Sequence, residues 1–480
     1  MVPSPTQAKV KSTNDPRTLS TSAMVFLVIG NMIGAGLYTT SGYSLADLGD
    51  PAWVIAAWVV GGAIALSGAV AYGGLARVMT DNGGEYLYLS RSIHPAAGFI
   101  AGWVSLLAGF SGAGALAALV FESYLNAWNV PSVFTLGNAG NFSGGGWGLP
   151  AGVVASMLIV AASLPHALGV TGGSRVQSIV VGCQLVLLGV FAVAAVAYRD
   201  AWMGWQSLAD PITNAAVETT AMTNAAVDTT AVSNPAVGRF ALTFATAVMW
   251  ITLSYSGFNA AVYVAGEARG GWSGVRRAMV IGTTAVTAIY LGLNYLFLAV
   301  PPVDAAAGQQ EIALIAAEAL GARWVSDALT VAILVGLVTS VSSLSMAGPR
   351  VYAKMARDGL FPAMFDDDAP PPVRSIVLQS AVMIAMVWLF DVRGLISFLS
   401  MTLSLSTAVA VAALWRGGHR ESIASPLTSI ASIIYVSATA TVITLSGYHD
   451  PASFQKTAMT LVIGAAGYLI WTRIPGRQSS

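Results

Sequence analysis

Gly30, Gly34 and Gly36 place three residues without side chains within seven positions of the first long apolar stretch, Ile29-Gly30-Asn31-Met32-Ile33-Gly34-Ala35-Gly36-Leu37. Each glycine inside a helix costs about 1 kcal/mol relative to alanine, so the stretch is predicted to leave the helix. The chemistry it then offers is that of bare backbone. Amides at the start of a half-helix carry partial positive charge and meet anionic groups, and freed carbonyls accept. In lipid such backbone persists only where it is buried in protein or lines a cavity. The competing reading is that the glycines let two helices pack closely. A second small and polar interruption, Thr252-Leu253-Ser254-Tyr255-Ser256-Gly257-Phe258-Asn259, falls in a later apolar stretch. Interrupted helices at corresponding positions of two halves point to the binding site of inverted-repeat transporters.

The elements that must position these groups follow from composition. The 480-residue chain is 55% hydrophobic and 9% charged, against about 25% charged in soluble domains. A polytopic membrane protein is expected. Apolar runs long enough to cross a bilayer lie at 20–47, 52–76, 95–126, 149–167, 175–198, 239–264, 277–300, 325–355, 375–391, 394–415, 425–446 and 455–473, about twelve spans. The first 20 residues are polar and show no cleavable signal. With the N-terminus inside, seventeen Lys and Arg fall in inner segments and five in outer ones, as the positive-inside rule requires. A multi-pass protein of the plasma membrane with both termini cytoplasmic is the expectation. The single cysteine, Cys183, excludes an intramolecular disulfide and a cysteine-rich metal site. The longest outer loop repeats a decapeptide, Thr213–Met222 and then Thr223–Val232, and reads as a surface loop without catalytic content.

Four motifs occur in order: Gly30-Asn31-Met32-Ile33-Gly34-Ala35-Gly36-Leu37-Tyr38; Asp81-Asn82-Gly83-Gly84-Glu85-Tyr86-Leu87-Tyr88; Tyr255-Ser256-Gly257-Phe258 with Gly266-Glu267; and Pro349-Arg350-Val351-Tyr352-Ala353-Lys354-Met355-Ala356-Arg357-Asp358-Gly359-Leu360-Phe361-Pro362. Together they resemble the signatures of the amino acid-polyamine-organocation superfamily of amino acid permeases, over essentially the whole chain. The resemblance implies an all-α polytopic membrane protein with a LeuT-type inverted repeat of five plus five helices, broken helices 1 and 6, and two additional helices. On that plan residues 1–19 form a cytoplasmic tail, 20–198 the first repeat, 199–238 the extracellular loop, 239–416 the second repeat, and 417–480 the added helices and a short tail.

The resemblance also implies a substrate site formed by Asn31, Met32, Ile33, Gly34, Ala35 and Gly36 with Ser254, Tyr255, Ser256, Gly257 and Asn259. The α-carboxylate of an amino acid would rest on amides near Ala35 and Gly36, and its ammonium on carbonyls around Met32 and Ser254 to Gly257. Several positions depart from the family pattern. Asn259 stands where many members have Glu, and Leu253 where exchangers have an aromatic gate, which leaves Tyr255 as a gating candidate. Gln184 replaces a Lys of some proton-coupled members, which argues against that proton mechanism. Ser342 and Ser343 match the depth at which sodium-coupled relatives hold an ion. Glu267 is expected to latch the inner gate through Arg276 or Arg350, and Arg350 and Arg357 to anchor a helix end at the lipid headgroups.

Ionisable residues in a membrane core mark function, and this sequence shows few: Asp47, Asp50, Glu122 and Asp391 at outer span ends and Glu267 at an inner one. Ion-coupled symport of a neutral or apolar amino acid is therefore favoured, with a sodium ion or a proton as coupling ion. Low lysine use and acidic outer loops tilt the choice slightly to sodium. An exchanger, a cationic amino acid transporter and a non-transporting membrane sensor are the alternatives. The partners expected are the small-molecule amino acid and the lipid bilayer, with no nucleic acid, metal or other cofactor. An intramembrane enzyme built on Gly109-Phe110-Ser111-Gly112 would need a histidine from positions 94, 166, 419 or 449, all near span ends.

Overall fold

The chain enters the membrane as α1 (Thr21–Met32), stops, and resumes as α2 (Ala35–Leu48) at a 42° bend. The stop is made by two extended residues, Ile33 (φ −74°, ψ 100°) and Gly34 (φ −149°, ψ −162°). The structure, a computed structural model, describes residues 19–78, 84–128, 150–169, 173–204, 235–366, 371–416 and 425–473. The decapeptide repeats and both tails lie outside these.

Helices follow in the expected order. They are α3 (Pro51–Val78), α4 (Gly84–Ser92), α5 (Pro95–Val104), α6 (Ala113–Ala127), α7 (Val153–Ala167) and α8 (Gly173–Ala197). After the long loop come α9 (Pro235–Ser254), α10 (Gly271–Ala299), α11 (Ile312–Ala319), α12 (Arg323–Arg357), α13 (Val373–Leu389), α14 (Val392–Ala412), α15 (Pro426–His449) and α16 (Pro451–Thr472). Among the described residues eight helices are long and apolar enough to cross a membrane, and the bent α1–α2 pair makes a ninth. α7 and α13 are shorter apolar helices. The protein is an all-helical integral membrane protein.

Two helices depart from simple geometry at the centre. α9 ends at Ser254, and after a turn through Gly257 (φ 98°) the chain continues as a 3₁₀ segment, Ala260–Glu267, rather than as a second α-helix. Between α5 and α6 the residues Ser105–Gly112 form a π-helical stretch, a widened turn that recurs at functional sites. Among the described residues Ser111, which lies in it, is buried and has no hydrogen-bond partner.

Polar side chains are spent on joints. α7 has no capping side chain of its own, and Glu122 of α6 accepts from the amides of Gly152 (3.0 Å) and Ala155 (3.2 Å) at its start. A carboxylate at a helix N-terminus satisfies orphan donors and meets the positive end of the helix dipole. Leu19 pairs with the end of the 3₁₀ segment, donating to Glu267 O at 2.7 Å and accepting from Arg269 N at 2.8 Å. This pins the entrance of α1 to the exit of the interrupted α9 at one end of the molecule, called here the mouth end.

Candidate functional site

The two interruptions meet. Gly257 packs on the last turn of α1, where an added Cβ would sit 2.8 Å from the carbonyl oxygen of Asn31. Gly36 packs on the last residue of α9, where a Cβ would sit 3.1 Å from Ser254 Cα and would overlap its Oγ. Gly34 differs, since nothing lies within 4 Å of its missing Cβ. The two readings of the glycines are therefore divided among them. Gly36 allows close approach, and Gly34 sits in open space at the break.

Around this junction lies a cavity of about 620 Å³. Asn31, Met32, Ile33, Gly34, Ala35, Gly36, Ser254, Tyr255, Ser256, Gly257 and Asn259 all line it, together with Gln184, Ser343, Glu267 and Arg350. No side chain caps the start of α2; Leu37 N turns back to Gly34 O (3.2 Å), which leaves the amides of Ala35 and Gly36 facing the break as donors. Ser254 Oγ is buried there without a partner. The cavity runs on to the mouth end, where Glu267, Arg350, Lys354 and Arg357 line it.

Tyr290 of α10 reaches in behind the junction and was not indicated by the sequence. Its buried hydroxyl donates to Met32 O and lies 2.9 Å from Ser254 O. With a single proton the hydroxyl engages one of these two carbonyls at a time, and both keep lone pairs free for a substrate ammonium. The Tyr290 ring packs edge-on to Trp58 and Tyr255, at centroid distances of 5.2 and 5.1 Å. Trp58 Nε1 in turn donates to Ser41 Oγ at 2.8 Å. Tyr255, a gating candidate, is a fixed member of this buried aromatic layer.

At the end opposite the mouth an ion pair joins two helices. Arg393 at the start of α14 donates to both carboxylate oxygens of Asp47 at the end of α2 (2.8 and 2.6 Å). The same guanidinium lies 4.9 Å from the Trp250 ring centroid of α9 and 5.9 Å from that of Tyr43. Both charges are partly exposed, at 47% and 19%, so the pair and its stacking together are worth about 1 kcal/mol. Arg393→Ala is expected to raise about fivefold the labelling rate of a single cysteine at Ser400, attacked from the far end in a Cys183→Ala background. An unchanged rate would show that the pair does not latch this end.

Geometry of this kind suits a solute pathway, and the comparisons with known proteins place it in a family. The sequence profile of the family described as amino acid permease matches residues 19–469. The chain belongs to that family. The permease is 26% identical over 405 residues to the vacuolar cationic amino acid transporter 4 of Arabidopsis thaliana, covering 83% of this chain and 63% of that protein. It is 23% identical over 296 residues to the mouse b(0,+)-type amino acid transporter 1, covering 61% and 53%. A third relative, the methylthioribose transporter of Bacillus subtilis, is 23% identical over 442 residues and is covered nearly end to end, 89% and 88%. The permease thus spans less than two thirds of the first two relatives and most of the third.

The permease carries one buried acid in its cavity that the sequence reading passed over. Glu85, at the start of α4, is 8% exposed and lines the cavity. Its Oε1 accepts from Tyr72 Oη (2.5 Å) and Asn259 Nδ2 (3.0 Å), and its Oε2 from Ser406 Oγ (3.2 Å). The expectation of a core with ionisable groups only at span ends is corrected accordingly. Glu85 belongs to a polar motif between two spans and so reads as a loop residue, yet Gly84, at φ 65° and packed against the Tyr263 ring, folds that segment inward.

The ion-site candidates separate. Gln184 is buried and donates to Tyr38 Oη at 2.8 Å. It fits only because Gly336 of α12 has no side chain, since a Cβ there would overlap the Gln184 amide. Ser343 lines the cavity, whereas Ser342 is turned to α7, its Oγ 2.9 Å from His166 Nε2. The structure does not bring Ser342 and Ser343 to one point, because adjacent helical residues face about 100° apart. Arg357, expected at the headgroups, faces Asp366 at 3.8 Å while lining the mouth.

Proposed function

We propose that this permease is a secondary active transporter that carries a neutral or apolar amino acid across the membrane by alternating access, coupled to an ion. The observation that carries the reading is the meeting of two interrupted helices at one cavity, with the uncapped start of α2 and the unpartnered Ser254 hydroxyl facing it. The α-carboxylate would take the amides near Ala35 and Gly36, and the ammonium the spare lone pairs around Met32 and Ser254 to Gly257. A far end joined by the Asp47–Arg393 pair and a cavity reaching the opposite end fit one half of an alternating-access cycle. The plasma membrane, cytoplasmic termini and the division into two five-helix repeats at 20–198 and 239–416 belong to the same proposal.

A cationic amino acid is the second reading, favoured by Glu85 on the cavity wall. It ranks behind because both carboxylate oxygens of Glu85 are already accepting hydrogen bonds.

The test is uptake by purified protein in liposomes with a panel of labelled neutral and cationic amino acids and methylthioribose, under a sodium gradient, a proton gradient or neither. Saturable accumulation of a neutral amino acid under an ion gradient is the expected result. Uptake requiring only internal unlabelled amino acid would make the protein an exchanger, and saturable binding without flux would make it a sensor.

A further inference from the structure

Glu85 sits where four elements converge. The carboxyl is held by Tyr72 of α3, by Asn259 in the turn that interrupts α9, and by Ser406 of α14, while its own backbone belongs to α4. Asn259 lies two residues beyond Gly257, which rests on the Asn31 carbonyl. A change at Glu85 is therefore two residues from the junction of the broken helices.

We propose that Glu85 is a proton-binding site of this permease, and that its charge holds the interrupted α9 against α4 in the conformation seen here. The proposal rests on the transport reading above and names its coupling ion.

The donor set supports it. Two donors, Tyr72 Oη and Asn259 Nδ2, fill Oε1, but Oε2 has one contact, at 3.2 Å, to a hydroxyl that can donate or accept. A proton arriving on Oε2 turns that contact around: the carboxyl donates to Ser406 Oγ, and the Oε1 bonds remain. On its other side the carboxyl backs onto a pocket with no room for a water-sized sphere. The other titratable groups facing it are phenols: Tyr72 from α3, Tyr263 from the 3₁₀ segment, Tyr435 from α15 and Tyr88 from its own helix. Among the described residues lining that pocket none is basic. Burial pushes the carboxyl above the usual carboxylate range, against the opposing pull of the bonds from Tyr72, Ser406 and Asn259.

The coupling follows from hydrogen-bond strength. A bond to a carboxylate is roughly twice as strong as one to a neutral acceptor, so the ionised form grips Asn259 and the protonated form loosens it. The ionised form favours the state whose cavity reaches the mouth end. Protonation favours the alternate state, so a proton taken up in that state is released here.

The experiment is uptake in proteoliposomes with and without an imposed proton gradient, comparing wild type, Glu85→Gln and Ser406→Ala, with a trapped dye reporting proton entry. Wild type is expected to accumulate substrate at least tenfold above the ungradiented level and to acidify the lumen. Glu85→Gln should bring that ratio to one and abolish acidification. Ser406→Ala removes a donor to the anion and should move the pH midpoint of uptake upward by about half to one unit. Gradient-driven accumulation retained by Glu85→Gln, or a sodium gradient driving both proteins alike, would overturn the proposal. Should Glu85→Gln fail to fold, an unshifted midpoint in Ser406→Ala overturns it equally. Wild-type protein with no counterflow at all would instead count against the transport reading.

Discussion

Tyr290→Phe is expected to lower the initial rate of substrate uptake by one to two orders of magnitude while the protein still inserts and folds. The hydroxyl lies within hydrogen-bond reach of both Met32 O, at the end of α1, and Ser254 O, at the end of α9, and gives its single proton to one of them. Removing it leaves a buried carbonyl short of a partner at about 1–3 kcal/mol, a factor of roughly 5 to 150 in an equilibrium. The ring remains, so the contacts with Trp58 and Tyr255 persist and the aromatic layer keeps its packing. The loss should therefore fall on the geometry of the break rather than on global stability. Rates and half-saturation concentrations for the variant, beside its thermal melt in detergent, provide the check. Uptake within twofold of wild type would mean that the Tyr290 hydroxyl does not organise the break.

The second large effect is expected at the glycines, and it should discriminate among them. Gly257→Ala places a Cβ on a residue at φ 98° and only 2.8 Å from the Asn31 carbonyl oxygen. The left-handed conformation costs an L-residue about 1–2 kcal/mol, and overpacking adds about 1–3 kcal/mol. Backbone on both sides is the obstacle, so no side chain can swing away to relieve it. Gly36→Ala meets Ser254 Cα at 3.1 Å and should behave similarly. Gly34→Ala has a φ of −149°, open to any residue, and no atom within 4 Å. Thermal melts should show the first two variants clearly destabilised and Gly34→Ala unchanged, with uptake lost at least tenfold in the first two. A Gly257→Ala protein that melts and transports like wild type would show that the two interruptions do not need to touch.

On the proposed cycle, the Asp47–Arg393 pair and the Glu85 carboxyl both act on the conformation seen here. Asp47 and Arg393 clamp α2 to α14 at the end away from the mouth, and Glu85 ties the α9 turn to α4 on the way toward the mouth. Both ties are made in the conformation seen here, whose cavity reaches the mouth end, so on the proposed cycle both are released together in the alternate state.

Several features were legible in the chain before any coordinates. Composition separates a membrane protein from a soluble one because lipid excludes charge over the whole length of a span, and every span reports that exclusion locally. The glycine breaks were legible for the same reason, since helix propensity and the cost of unpaired backbone in lipid act on neighbouring residues. All of the proposed site positions except Ser342 line a single cavity, and Ser342 fails only because a one-residue step rotates a helical side chain away.

The partners of the freed groups were not legible. Tyr290 lies 258 residues from Met32, Glu85 lies 321 from Ser406, and Asp47 lies 346 from Arg393. Nothing in periodicity marks a tyrosine in one apolar span as the donor for two others, or a glutamate in a polar connection as a cavity acid. Those assignments depend on how the helices cross, which is set by packing summed over many side chains. Local chemistry thus established that the backbone breaks and where, whereas tertiary packing decided which side chains reach the break and how much of it remains open to a substrate.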